Sequence, residues 1–295
     1  MKRMLLTGAG GFLGWNICRL ASREWEIYGT VFSHRMEIPG VKVFPADLRD
    51  SGALARLMDA IQPHAVIHAA AISDVNFCQE HPLESRRVNV DASATLARLC
   101  GEKDIPCLFT SSDLVFDGRK APYGEDDPVS PLNVYGEQKV RSEEAMLKGC
   151  PRAIICRMPL MFGEAGPVAR SFLQPMVEAM KNGRPLRLFT DELRTPLSAD
   201  DAVRGLLLAL ARAEGILHLA GTERISRYDF GVLTREVFRF SMKDAPLIPC
   251  LQKDVDTPAP RPSDVSLKIS KALRLGFNPT PLRDALIALR SLVSG

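Results

Sequence analysis

Tyr135 and Lys139 are the residues whose types and spacing most directly suggest chemistry. On a helix, side chains four positions apart share a face, so the lysine ammonium would stand beside the tyrosine hydroxyl and stabilise its ionised form. Ser112 lies upstream of the pair, and its hydroxyl could donate to the same substrate oxygen. These three residues could therefore transfer a proton, provided that the fold brings them together.

A glycine-rich segment near the chain start could hold a phosphate group. Residues 4–6 read as a short buried strand, and apolar residues recur at helical spacing after the glycines. Such a loop offers backbone amides and the positive end of a helix to an anion. A tight turn is the alternative, but the strand-turn-helix setting favours a pyrophosphate. The predicted binding residues are Gly8, Gly11, Phe12, Leu13 and Gly14.

Short apolar strands alternate with helical patterns through the first half of the chain. The later strands are predicted at residues 26–32, 41–44, 65–68, 107–110 and 153–156. Helices are predicted at residues 51–61, at 83–102, and from after Pro131 to Gly149. Because crossover helices connect parallel strands, this alternation predicts an α/β fold with a Rossmann-type doubly wound parallel sheet.

The alternation breaks down after Met158, which suggests a smaller C-terminal lobe. Residues 198–220 again read as a helix followed by a strand, so the chain is expected to return to the sheet there. The predicted dinucleotide-binding domain is residues 1–158 plus 198–220. A discontinuous substrate-binding lobe would comprise residues 159–197 plus 221–295, with a cleft between the two parts.

The composition is that of an ordinary globular protein, with 295 residues, 46% of them hydrophobic, and a net charge of +3. Lysine and arginine are scattered, which argues against a nucleic-acid or membrane surface. The chain has seven cysteines without a C-x-x-C pair, and it shows no leader and no long apolar run. These features predict a cytoplasmic protein with free thiols. No group of His, Cys, Asp and Glu has metal-ligand spacing, so no metal is predicted.

The chain resembles the extended short-chain dehydrogenase/reductases in the order and spacing of its motifs. The matching residues are 7–14, Asp47-Leu48, His68-Ala69-Ala70-Ala71, Asn89, Ser112, Tyr135 and Lys139. Within that family the chain is similar to the dTDP-4-dehydrorhamnose reductase branch. The segments that carry this likeness are residues 111–118, 122–123, Glu125, Asp127, 130–136, 194–196 and 261–262. The resemblance therefore covers most of the chain.

The resemblance implies an NAD(P)H-dependent oxidoreductase acting on CH-OH groups. It would reduce a keto group on a nucleotide-activated deoxysugar, as in dTDP-rhamnose biosynthesis. Tyr135 would donate the proton, Ser112 would polarise the carbonyl, and Lys139 would stabilise tyrosinate and bind the nicotinamide ribose. Asn89 matches the family asparagine that holds a helix and a proton-relay water. The alternatives are a backbone-bonded hydroxyl at Ser112 and a helix-interior amide at Asn89.

Cofactor choice depends on the residues at the end of the second strand, where an acidic residue would bind the ribose hydroxyls of NAD. The chain has Ser33, His34 and Arg35 there. Arg35 could pair with a 2′-phosphate, although an exposed basic turn is the alternative. NADPH is therefore predicted, with NADH allowed. Asp47 and Leu48 match the pair beside the adenine, and helix capping is the alternative role for Asp47.

Further ligand contacts follow from small side chains and from the resemblance. The alanines after His68 would let the cofactor approach the backbone, whereas His68 itself is predicted to be packed in the core. These cofactor contacts are Ala69, Ala70, Ala71, Tyr135, Lys139 and Pro159. The predicted substrate contacts are Val75, Asp113 and Arg194. Candidates for a diphosphate are Arg157, Arg194 and Arg261, with salt bridges as the alternative.

Two other functions are compatible with these motifs. The same fold occurs as a non-catalytic, NADP-binding regulatory subunit of methionine adenosyltransferase. It also occurs as a nucleotide-sugar epimerase or dehydratase that retains NAD, although no acidic residue ends the second strand here. The chain departs from the reductase branch at Asn76, Gln79 and Leu114, so the sugar and nucleotide stay open. A homodimer is compatible with the resemblance.

Overall fold

The computed structural model describes residues 1–32, 36–241 and 245–293, with side chains described to residue 290. The strands are β1 (Lys2–Thr7), β2 (Trp25–Val31), β3 (Val41–Pro45), β4 (Ala65–His68), β5 (Cys107–Ser112), β6 (Ala153–Met158), β7 (Met161–Phe162), β8 (Leu186–Phe189), β9 (Leu193–Arg194), β10 (Leu197–Ser198), β11 (Gly215–His218), β12 (Ile225–Ser226) and β13 (Leu247–Cys250). Seven strands form one parallel sheet in the order β11-β6-β5-β4-β1-β2-β3. The winding direction reverses between β1 and β4, where doubly wound folds bind their ligands.

Helices connect the strands and cover both faces of the sheet. They are α1 (Phe12–Ala21), α2 (Ser51–Ile61), α3 (Val75–Glu80), α4 (Pro82–Arg86), α5 (Ala92–Glu102), α6 (Val134–Gly149), α7 (Leu173–Lys181), α8 (Ala199–Arg212), α9 (Arg227–Val237), α10 (Ser270–Arg274) and α11 (Leu282–Val293). A π-helical turn, Arg87–Asp91, joins α4 to α5, and short 3-10 turns occupy Asp113–Val115 and Gln252–Asp254.

The core divides into two layers, one on each face of the sheet. On β1, Met4 and Leu6 face the layer that contains α1 and α8, while Leu5 faces the layer of α2, α5 and α6. Successive strand side chains point to opposite faces, so a strand covered on both sides is apolar throughout. Each such buried side chain stabilises the fold by about 1.5–3 kcal/mol. The predicted Rossmann-type fold is confirmed.

A third cluster forms the core of the C-terminal lobe. Phe162 and Phe230 pack edge to face, with ring centroids 5.5 Å apart. Helices α7, α9 and α11 contribute the surrounding apolar side chains. The smaller strands pair as β7 with β10, β8 with β13, and β9 with β12. Between these segments the chain returns to the main sheet through β11, which pairs with β6. The exact domain boundaries stay a prediction.

Most predicted elements of the first half lie within a few residues of the observed ones, and α2 spans Ser51–Ile61 as predicted. The helix expected at 83–102 is instead α4, the π-helical turn and α5 in direct succession. Asp50, rather than Asp47, caps α2, since its carboxylate accepts a hydrogen bond from the Ala53 amide. The capping alternative for Asp47 is therefore wrong.

All seven cysteines are buried and none forms a disulfide. Burial raises the pKa of Cys18 to about 12 and places that of Cys156 further above its ordinary value. These thiols therefore stay protonated inside the folded protein. Within the described part of the chain, no helix is both long and apolar enough to cross a membrane.

Candidate functional site

The fold brings Ser112, Tyr135 and Lys139 together at the carboxyl edge of the sheet. Ser112 is the last residue of β5, and the other two lie in the first two turns of α6. Asn133 caps this helix by accepting a hydrogen bond from the Gly136 amide at 2.9 Å. A Cβ atom at Gly136 would lie 2.2 Å from the Leu114 carbonyl oxygen. The glycine thus lets α6 approach the turn that follows Ser112.

Lys139 is buried beneath the tyrosine ring. Its ammonium donates a hydrogen bond to the Thr110 carbonyl oxygen at 2.8 Å and lies 5.6 Å from the Tyr135 ring centroid. Burial lowers the pKa of Lys139 to about 8, and the nearby negative charge of Glu143 opposes this change. The side chain is consequently a cation at neutral pH and lies close to the tyrosine ring.

Tyr135 holds its proton firmly in this environment. Burial raises its pKa above the ordinary value, the charges of Cys78 and Asp113 raise it further, and a hydrogen bond with Ser112 opposes them. The Ser112 hydroxyl also donates to Asp113 Oδ1 and accepts from the Leu114 amide, both at 3.2 Å. The alternative role for Ser112, a hydroxyl bonded to the backbone, is thus met by its contact with the Leu114 amide. The same hydroxyl also lies beside Tyr135.

Asn89 lies in the π-helical turn and binds the loop that follows β4. Its Oδ1 accepts from the Ile72 amide at 2.8 Å, and its Nδ2 donates to the Ile72 carbonyl oxygen at 3.0 Å. Nδ2 also donates to Gln138 Oε1 on α6 at 2.7 Å. The Asn89 carbonyl oxygen accepts from the Ser142 hydroxyl. Asn89 therefore holds the loop and α6 in one arrangement, and its catalytic role stays a prediction.

A second buried polar anchor holds α6, one turn after Lys139. The Glu143 carboxylate accepts hydrogen bonds from Ser111 at 2.5 Å and from Arg157 Nε and Nη2 at 2.9 and 2.7 Å. The side chains of Glu143 and Arg157 are only 5% and 4% exposed. Arg157 is thus engaged in a buried pair, as the salt-bridge alternative predicts, while its Nη1 has no protein partner among the described residues.

A cavity of about 380 Å³ lies at the switch point of the sheet. Among its lining residues are the predicted Gly8, Gly11, Asp47, Leu48, Ala69, Ala70 and Ala71. A Cβ atom at Gly8 would lie 2.8 Å from the Ala70 Cα atom, so only glycine fits there. Gly11 begins α1 without a capping side chain, which leaves the first helical amides available to an anion. This cavity has the features of a dinucleotide site.

Other predicted cofactor residues do not line this cavity. A Cβ atom at Gly14 would lie 2.0 Å from the Gly8 carbonyl oxygen, so Gly14 permits α1 to pack against the loop. Leu13 belongs to the core, Phe12 is half-buried and Pro159 is buried. Tyr135 and Lys139 lie beyond the cavity, toward β5. Ser33, His34 and Arg35 are outside the described residues. For every residue named in this paragraph, contact with the cofactor stays a prediction.

Asp47 and Arg49 form an ion pair at the edge of the cavity. The guanidinium binds both carboxylate oxygens, with Nη2 2.7 Å from Oδ2, and this lowers the pKa of Asp47. The Arg49 Cζ atom lies 5.2 Å from the ring centroid of Phe32, the residue that follows β2. All three side chains line the cavity. Sequence analysis did not single out Arg49 or Phe32.

An arginine cluster lies beside Asp113, at the junction with the C-terminal lobe. Arg194 donates to Asp113 at 2.8 Å and lies 3.5 Å from Glu192, which is 4.0 Å from Arg261. Arg227 joins the cluster, and burial lowers its pKa to about 10. Each of the three arginines has a buried nitrogen without a protein partner among the described residues. Unpaired buried donors of this kind are expected to bind an anion.

The predicted substrate residues thus have different surroundings. Asp113 and Arg194 form one buried ion pair next to Ser112. Val75 is half-buried at the start of α3. Sequence analysis missed Arg227 and Glu192, since no local pattern marks residues that only the tertiary fold brings together.

His68 is packed in the core, as predicted. It shares hydrogen bonds with Thr7 at 2.6 Å and Ser93 at 2.9 Å, and burial lowers its pKa to about 3. The ring is therefore neutral and connects β1, β4 and α5. No group of three or more His, Cys, Asp or Glu side chains able to hold a metal ion occurs among the described residues.

Comparisons with curated proteins give relatives of two kinds. The chain is 32% identical to the probable low-salt glycan biosynthesis reductase Agl14 of Haloferax volcanii, covering 98% of this chain and 97% of the relative. It is 29% identical to methionine adenosyltransferase 2 subunit beta of Danio rerio, covering 97% and 89%. Reductases and an adenosyltransferase subunit thus both resemble this chain over nearly its whole length.

Solved structures show the same fold. A dTDP-4-dehydrorhamnose reductase from Clostridium acetobutylicum has a TM-score of 0.85 and 25% identity, covering 99% of this chain and 100% of the other. The Bacillus anthracis dTDP-4-dehydrorhamnose reductase, solved in complex with NADP, has a TM-score of 0.88, 20% identity and full coverage of both chains. The family of the RmlD substrate binding domain matches residues 1–292. This chain therefore belongs to the RmlD substrate binding domain family.

Proposed function

We propose that this protein is an NADPH-dependent reductase of a keto group on a nucleotide-activated deoxysugar, similar to dTDP-4-dehydrorhamnose reductase. The observation that carries the proposal is the arrangement of Ser112, Tyr135 and Lys139 next to a cavity with dinucleotide-binding features. A buried acid, a buried cation and a hydroxyl at one sheet edge form a proton-donating site. The reductases among the relatives support the same conclusion.

The residues of the site divide the chemistry among them. Bound NADPH would supply a hydride to the carbonyl carbon. Tyr135 donates its proton to the carbonyl oxygen, and its raised pKa means that this proton is in place at neutral pH. Ser112 donates a hydrogen bond to the same oxygen, and Lys139 stabilises the resulting tyrosinate.

The chain has a consistent set of groups for holding NADPH. The uncapped start of α1 and the loop through Gly8 and Gly11 would bind the pyrophosphate. The backbone at Ala70 is open to a ribose or phosphate because its side chain is small. Lys139 would reach the nicotinamide ribose. The NADP complex of the Bacillus anthracis reductase supports this cofactor, and NADH is allowed.

The arginine cluster supports a substrate that carries a diphosphate. Three guanidiniums face two carboxylates, those of Asp113 and Glu192, so the cluster has an excess positive charge. Because Arg194 contacts Asp113, the residue after Ser112, this charge lies close to the proposed catalytic serine. A nucleotide diphosphate joined to a sugar would place its phosphates on the arginines and its keto group at Tyr135.

The proposal is tested by following NADPH oxidation with dTDP-4-dehydro-6-deoxy-L-mannose. We expect turnover by the native protein, and a loss of at least about 100-fold in Tyr135→Phe, because only the proton donor is removed. Tyr28→Phe is the matched control, since Tyr28 lies on β2 and bonds Glu26 rather than the site. Equal turnover in Tyr135→Phe and Tyr28→Phe would refute the catalytic assignment.

A second candidate function rests on the adenosyltransferase subunits among the relatives. Under that proposal the chain is a non-catalytic NADP-binding regulator of a methionine adenosyltransferase. Co-purification with such an enzyme, together with no consumption of NADPH in the presence of nucleotide-sugar ketones, would favour it. Turnover that depends on Tyr135 would instead favour the reductase.

A further inference from the structure

We propose that Glu143 is a positioning residue of the reductase site, and that its buried carboxylate supplies the negative charge that keeps Lys139 a cation. This inference rests on the proposed reductase function, because it explains how the ammonium beside Tyr135 stays charged inside the protein. In this assignment Glu143 touches neither substrate nor cofactor. It acts through Lys139, which lies one helical turn before it on α6.

The two side chains lie next to each other against β5. Residues four apart on a helix share a face, with Cβ atoms about 5–6 Å apart, and both side chains are buried. The Lys139 ammonium donates a hydrogen bond to the Thr110 carbonyl oxygen at 2.8 Å. The Glu143 carboxylate accepts one from the hydroxyl of the next strand residue, Ser111. Adjacent residues of β5 thus hold the two side chains, so the opposite charges stay close together.

Among the described residues, Glu143 is the carboxylate whose charge favours the Lys139 cation against the effect of burial. The groups on the other elements around Lys139 are uncharged at neutral pH. On β4, the His68 ring is neutral because burial lowers its pKa to about 3. On α3, the Cys78 thiol keeps its proton because burial raises its pKa. Tyr135 on α6 is protonated for the same reason.

Two further charged groups lie nearby. Arg157 on β6 donates to the Glu143 carboxylate through Nε and Nη2, at 2.9 and 2.7 Å. Asp113, which follows β5, belongs to the arginine cluster, and its charge acts on Tyr135. Removing the Glu143 charge alone would leave the Lys139 and Arg157 cations buried without their shared carboxylate. Because like charges disfavour each other inside a protein, the lysine would then lose its proton more readily.

The test follows the protonation of Lys139 by NMR of protein in which lysine is ¹³C-labelled at Cε, with the Lys139 signal assigned by its loss in Lys139→Arg. Because a nearby opposite charge shifts a pKa by about 1–3, we expect Glu143→Gln to lower the pKa of Lys139 by about 1 or more. Arg157→Met should raise this pKa, since Glu143 then faces Lys139 alone. Glu144→Gln is the matched control and should leave the pKa unchanged, because Glu144 is the next residue on α6 and is exposed.

The opposite directions of the two changes separate a charge effect from a loss of packing. A lower Lys139 pKa in both single variants, or no change in Glu143→Gln, would overturn the proposal. Thermal unfolding shows whether each variant is folded, and the double variant Glu143→Gln/Arg157→Met replaces a single variant that does not fold. Its Lys139 pKa should lie below the native value because the carboxylate is missing, and an equal or higher value would also overturn the proposal.

The pH dependence of kcat/KM tests the consequence for the reaction. The decline of kcat/KM at high pH should begin at a lower pH in Glu143→Gln than in the native protein, following the pKa of Lys139. A decline that stays in place although this pKa has moved would overturn the positioning role. The expected NMR changes together with no turnover by the native protein would instead overturn the proposed function, while the pairing of Glu143 with Lys139 would stand.

Discussion

Replacing Glu143 by glutamine tests whether the buried ion pair beneath the site holds α6 in place. Glutamine keeps the shape and one acceptor oxygen but removes the charge that faces Arg157. That guanidinium is 4% exposed, and its Nη1 already lacks a protein partner among the described residues. Removing one member of a buried pair costs about 3–5 kcal/mol. We expect a loss of about 3 kcal/mol in the free energy of unfolding, the lower end of that range, because glutamine can still accept from Ser111.

The measurement is urea denaturation followed by far-UV circular dichroism, at constant pH and ionic strength. Glu102→Gln is the matched control, since Glu102 pairs with Arg98 on the exposed face of α5 with side chains 54% and 57% exposed. Its expected loss is below about 0.5 kcal/mol. The double variant Glu143→Gln/Arg157→Met should recover most of the loss, because the Arg157 charge is then no longer left without its carboxylate.

The reasoning fails if Glu143→Gln and Glu102→Gln destabilise the protein equally with unchanged denaturant dependence. That result would mean that water or a neighbouring group compensates the Arg157 charge. It also fails if the double variant is as unstable as Glu143→Gln alone, since the cost would then come from lost packing.

Three further outcomes are expected. Since burial lowers the pKa of Lys139 to about 8, and its protonated form is the active one, kcat/KM should fall as the pH rises through about 8; a flat profile to pH 10 would contradict this. Gly14→Ala should lower the free energy of unfolding by about 1–3 kcal/mol, because the added Cβ would meet the Gly8 carbonyl oxygen. Gly52→Ala should not lower it, because the added Cβ meets only flexible side chains. Arg35→Ala should weaken NADPH more than NADH in fluorescence titrations, and equal losses would remove the argument for Arg35.

The sequence predicts the first half of the fold well because its signals are local. Periodicity and a clear stop define α2, and strands buried on both faces read as continuous apolar runs. The π-helical turn at Arg87–Asp91 was not predicted, because one inserted residue barely alters an apolar pattern with a 3.6-residue period. Asn89 lies in this turn and makes its hydrogen bonds to Ile72 and Gln138 from there.

The site was predictable where its residues follow one another at helical spacing. Tyr135, Lys139 and Glu143 continue a single i, i+4 row, so the sequence also contained the signal for Glu143. The arginine cluster could not be predicted as a unit. Arg227 lies more than thirty residues from both Arg194 and Arg261, and only packing of the C-terminal lobe brings them together. Arg49 follows a recognised motif by one residue, but its contact with Phe32 depends on the pairing of β2 with β3.

The burial of every cysteine makes the protein's thiols a probe of its own opening motions. A reagent such as 5,5′-dithiobis(2-nitrobenzoic acid) can reach a thiol only when the surrounding structure opens. Cys18 lies in α1 beside the main sheet, and Cys250 ends β13, which pairs with β8 outside that sheet. Their separate labelling rates would compare the opening of the sheet domain with that of the C-terminal lobe, without any engineered label.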